Sequence, residues 1–99
     1  MIVELTVIPI GVGTSLSRYV AEVVAIVRES GLPYESHSMG TNIECELEEA
    51  FEIVRRCRSR LYELGVERMS IVLRISDRRD KPYTIAGKLR SLDEKLSHR

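Results

Sequence analysis

Ninety-nine residues, 43% hydrophobic and 30% charged, suffice for one compact domain over residues 1–99 and are too apolar for a disordered chain. Fifteen Lys and Arg balance fifteen Asp and Glu, which removes the basic field expected of a protein that lives on phosphate backbones, so no nucleic-acid partner is expected. No apolar run approaches the roughly 20 residues of a membrane helix, and Glu4 interrupts the N-terminal stretch where a signal peptide would be continuous, so a cytoplasmic protein without a membrane partner is expected. A net charge of zero offers little protection against self-association, which favours a homo-oligomer. Cys45 and Cys57 are isolated and only two histidines accompany them, so neither a metal site nor a disulfide framework is expected.

Ile2 to Ile10 alternates with the period of a strand, stopped at Pro9 and the Gly11-Val12-Gly13 turn. Thr14, Ser15 and Ser17 offer N-cap hydroxyls for a helix whose apolar stripe is Leu16, Val20, Val23, Val24 and Val27, ended by Gly31. Tyr34–Met39 and Thr41–Glu46 read as a hairpin turning at Gly40. Leu47, Ala50, Phe51, Val54, Cys57, Leu61 and Leu64 make the stripe of a second helix, with acids early, arginines late and Gly65 at its end. Val66–Ser76 alternates as a fourth strand. Thr84–Leu96 forms a short terminal helix through Ile85, Leu89, Leu92 and Leu96.

The order βαββαβ predicts an α+β, ferredoxin-like sandwich: a four-stranded antiparallel sheet, two crossover helices on one face, the first and third strands central. If Val3, Leu5, Val7, Ile43, Cys45, Ile71, Leu73 and Ile75 face the helices, then Glu4, Thr6, Ile8, Asn42, Glu44, Glu46, Val72 and Arg74 face away. That second face mixes acids, hydroxyls and aliphatics, which suits another subunit or a ligand, although a cross-strand Glu4–Arg74 pair explains two of its charges without either. Gly11-Val12-Gly13-Thr14-Ser15 lacks the third glycine of a dinucleotide site and the Gly-Lys-Ser/Thr ending of a P-loop. No nucleophile or acid is spaced to assist His37, and the central strands carry no stacking aromatics for RNA. No catalytic residues and no enzymatic activity are therefore expected. The arginines of the second helix read as a solvated face.

Glu4-Leu5-Thr6-Val7-Ile8-Pro9-Ile10-Gly11, Ser15, Tyr19-Val20, Gly31-Leu32, Met39-Gly40-Thr41 with Glu44, the Asp77-Arg78-Arg79 turn and Lys88, in this order and spacing, resemble the small thiamine-binding protein family. The resemblance implies a ferredoxin-like subunit that pairs through its sheets into a dimer and then a dimer of dimers. It also implies that thiamine or its pyrimidine moiety binds at a subunit interface, with no cofactor required and no catalysis. Carried over by position, the family's pocket falls on Thr6, Ile8, Ser15, His37, Met39, Gly40, Thr41 and Glu44. Glu44 would orient or neutralise the cationic ligand, Thr6, Ser15, His37 and Thr41 would supply hydrogen bonds, and Met39 would lie against the rings. Cys45 departs from the family pattern, which has glycine after the third-strand glutamate. The alternative is a regulatory or assembly subunit that uses the same face for a protein partner or another small effector.

Overall fold

The computed structural model describes all residues from Met1 to Arg99. Its elements are β1 (Ile2–Ile10), α1 (Ser17–Glu29), β2 (Tyr34–His37), β3 (Gly40–Glu44), α2 (Leu47–Glu63), β4 (Arg68–Ser76) and α3 (Ile85–Ser97). The sheet runs β2-β3-β1-β4 with every neighbouring pair antiparallel, the expected ferredoxin-like order with β1 and β3 inside. No helix is long and apolar enough to cross a membrane.

Alternation along β1 and β3 builds the core, with Val3, Leu5, Val7, Ile43 and, just past the end of β3, Cys45 buried in one cluster with Tyr19, Val23, Ile26 and Val27 of α1 and Ala50, Ile53, Cys57 and Leu61 of α2. Both cysteines are free and buried. Burial pushes the Cys57 thiol up to about 11 and also raises that of Cys45, with Glu49 adding to the second shift. They are protonated packing residues at neutral pH.

Several boundaries differ from the sequence expectation for local reasons. α1 begins without a hydroxyl cap: Leu16 occupies the N-cap, and Thr14, Ser15 and Ser17 make no capping bond. β3 ends at Glu44 because Glu46 starts α2, its own N–H donating to Glu49 Oε1 at 2.9 Å in a capping box. β1 runs through Pro9 to Ile10. It pairs with β4 along all nine residues but with β3 only from Ile2 to Leu5, so its second half has a free edge on the β3 side.

That edge accommodates the proline. The carbonyl of Met1 accepts from Cys45 N–H at 3.1 Å, and a side-chain carbon on Gly40 would lie 2.8 Å from the carbonyl of Leu5. Odd-numbered residues of β1 thus aim their backbone groups toward β3, and Pro9, next in that series, lacks an N–H only where no strand waits for one.

α3 also departs from expectation, because it stands beside the sheet face that the sequence left open. Thr84 caps it by accepting from Gly87 N–H at 2.9 Å, and the Glu44 carboxylate reaches across from β3 to accept from Ile85 N–H at 2.6 Å. Leu89, Leu92 and Leu96 remain about half exposed. On the other side of the molecule Arg60 of α2 donates to Glu22 of α1 at 3.1 Å and to Glu63 at 3.1 Å, an exposed network that adds little stability.

Candidate functional site

The shortness of β3 creates a notch. Where the hairpin runs out, a cavity of about 280 Å³ opens between the free edge of β1, the start of α1 and the hairpin tip. Leu16, Val20, Val23 and Val24 form its apolar wall, Leu5 to Ile8 its floor, and Ser36 to Thr41 the remaining side. No lysine or arginine lines it. Val20 shows what the notch does to packing: it lies on the α1 stripe expected to be buried, yet is 50% exposed because no side chain stands opposite.

A chain of polar contacts fixes the tip. Thr6 Oγ1 donates to the carbonyl of Met39 at 3.0 Å, and Met39 N–H donates to His37 Nδ1 at 3.2 Å. With Nδ1 accepting, the neutral ring carries its proton on Nε2, which faces Glu4 Oε2 at 3.3 Å. Glu4 and Arg74 stand opposite each other in the β1–β4 register, but the close partner of Glu4 is His37. Ser36 and Thr41 hydroxyls lie 3.4 Å apart on the helix side of the sheet. Gly40 is required by the crowding beneath it: a side-chain carbon there would meet both Leu5 O and Thr6 Oγ1 at 2.8 Å. Met39, 76% exposed, overhangs the opening.

Of the residues singled out from sequence, Thr6, Ile8, His37, Met39, Gly40 and Thr41 therefore converge on one cavity. Thr41 is 4% exposed and belongs to its inner wall rather than to the outward sheet face. Ser15 is exposed just before α1 and does not line the notch. Glu44 lies at the far end of β3, engaged with Ile85. Sequence reasoning missed Leu5, Val7, Ser36 and Ser38 as lining residues, and with them Leu16, Val20, Val23 and Val24. The signal for the four apolar residues at α1 was the helix stripe itself, read only as core.

A second cavity, about 460 Å³, lies between α3 and the outward sheet face, with the charges of Glu4, Glu35, Arg74 and Lys88 around it. Tyr83 is held there by Ser76 Oγ at 2.9 Å and Lys88 Nζ at 3.2 Å, contacts that lower its phenol pKa, the serine first. The adjoining Asp77-Arg78-Arg79 turn is a clasp: Arg78 Nε donates to Asp80 at 2.7 Å and holds that carboxyl at about 2.

A family model described as thiamine-binding protein matches residues 3–93. A UPF0045 protein of Methanothermobacter thermautotrophicus is 40% identical over 95 residues, covering 94% of this chain and 96% of the relative. Another, from Synechocystis sp., is 37% identical over 98 residues, covering 99% and 81%. The crystal structure of a hypothetical protein from Methanocaldococcus jannaschii superposes with a TM-score of 0.86 at 32% identity, covering 94% of this chain and 95% of that one. Its likeness bears out the sandwich derived above.

Proposed function

The chain belongs to the thiamine-binding protein family, and from that premise we propose that it binds thiamine or its pyrimidine moiety in the notch at the free edge of β1, without catalysing a reaction on it. The observation that carries this reading is the convergence of Thr6, Ile8, His37, Met39, Gly40 and Thr41 on one cavity. An apolar wall with a few fixed hydroxyls suits a flat heteroaromatic ring. The absence of any lysine or arginine from the lining spares a cationic thiazolium the repulsion that Arg74 and Lys88 would exert in the α3 cleft. Glu4, poised beside His37, supplies the nearby negative charge in place of Glu44.

Calorimetric titration with thiamine tests this. Saturable binding is expected, weakened by about tenfold in His37→Ala through loss of the contact that fixes the hairpin tip, and nearly unchanged in Glu44→Ala. Silence toward thiamine and the free pyrimidine alike overturns the reading.

We also read the outward sheet face and α3 as the surface on which copies of the chain meet, a dimer or dimer of dimers. Val72 at 55% exposure and the leucines of α3 leave that side more apolar than a solvated face requires. The same surface supports the second reading, a regulatory or assembly subunit that engages a protein partner there. A multiple of the monomer mass by light scattering, retained in His37→Ala, is the expected result.

A further inference from the structure

The notch contains one unmade rung of the sheet. The register places Leu5 opposite Thr41, so Met39 would pair next with Val7 on the β3 side of β1. It does not: the N–H of Met39 goes to His37 Nδ1 and its carbonyl takes the Thr6 hydroxyl. Neither backbone group of Met39 is bonded to Val7. By the alternation that directs Met1 and Leu5 toward β3, the N–H and C=O of Val7 point into the cavity that Val7 helps to line. Thr6 and His37 thus hold the hairpin back from the strand and keep a donor and an acceptor side by side, walled by the aliphatic residues of α1.

Resting on the reading of this chain as a binder of thiamine or its pyrimidine, we propose that the Val7 backbone reads the 4-aminopyrimidine edge, its N–H donating to the adjacent ring nitrogen and its C=O accepting from the exocyclic amine. An added strand does not fit the same edge. A strand needs successive rungs, and the next residue on that side is Pro9, which has no N–H. A single planar group with one acceptor beside one donor completes the rung and lays its faces against Val20 and Met39, both largely exposed in the free protein. The specificity follows from the pairing: a ligand that presents an oxo group where the amine should be sets acceptor against acceptor at the Val7 carbonyl.

Three ligands on the intact protein separate the possibilities: thiamine, its analogue with pyridinium in place of thiazolium, and its analogue with oxo in place of the 4-amino group. The pyridinium compound should bind about as tightly as thiamine, and the oxo compound about tenfold or more weakly. Equal affinity for thiamine and the oxo analogue overturns the backbone readout while leaving thiamine binding intact; failure of all three overturns the binding reading and the readout with it. Amide hydrogen exchange gives the second measurement. The Val7 amide should exchange much faster than that of Leu5 in the free protein and slow when thiamine is added. A Val7 amide already as protected as Leu5 without ligand means the rung is made and contradicts the inference.

Discussion

Replacing Leu61 by alanine is expected to lower the unfolding free energy by about 2–5 kcal/mol, among the largest single-residue losses the fold predicts. Leu61 is fully buried in the last turns of α2, where it packs in the same cluster as Val3, Leu5, Val27 and Cys57. The side chains around it come from two helices and the central strands, so little can collapse into the space left behind. The cost is then the lost transfer energy of the leucine plus that of the cavity. Urea unfolding should show a lower midpoint with an unchanged slope. A loss under about 1 kcal/mol would mean that α2 is not held as described.

Gly40→Ala should weaken both the fold and the site. The added carbon has nowhere to go: one of its two close neighbours, at 2.8 Å, is the backbone carbonyl of Leu5, on a central strand fixed by β4. The hairpin must shift instead, at a cost of about 1–3 kcal/mol. That shift lengthens the bond from Thr6 to Met39 and moves the wall of the notch, so thiamine affinity should fall with stability. Gly87→Ala is the control. Its added carbon meets the Thr84 hydroxyl that caps α3, at 2.7 Å, which costs some stability there but, far from the notch, leaves thiamine affinity unchanged. Unchanged stability and affinity in Gly40→Ala would contradict the close approach of hairpin and strand.

The architecture was readable because its signals are local. Alternation in Ile2–Ile10 and Val66–Ser76, the apolar stripes of the helices and the glycines after them each depend on neighbouring residues, and the handedness of crossovers then leaves one sheet order. Boundaries were missed where a backbone group finds a partner outside the strand: Val66 N–H goes to the carbonyl of Leu61, so β4 starts only at Arg68. The Glu46 N–H likewise goes to the Glu49 side chain, ending β3 early.

The site was half legible for a related reason. Thr6, His37, Met39 and Gly40 stand out as a group only through the resemblance to the thiamine-binding family, and the hairpin tip bends over β1 to bring them together. The helical period of Leu16, Val20, Val23 and Val24 says only that they share a face. Whether a side chain or a cavity stands opposite depends on where β3 begins, and that is set by the turn of Met39 toward His37 and Thr6. The position of Glu44 was illegible for the same reason: its partner, the start of α3, lies 41 residues further along the chain.

Whether the notch binds thiamine, as proposed, is decided most directly by following backbone amide resonances of the protein as thiamine is added. Shifts should cluster on Val7, Ile8, Val20 and His37 to Thr41, with those around Tyr83, Lys88 and Leu92 undisturbed. Shifts centred instead on the α3 cleft, with the hairpin tip silent, would contradict the assignment and move the site to the other face of the sheet.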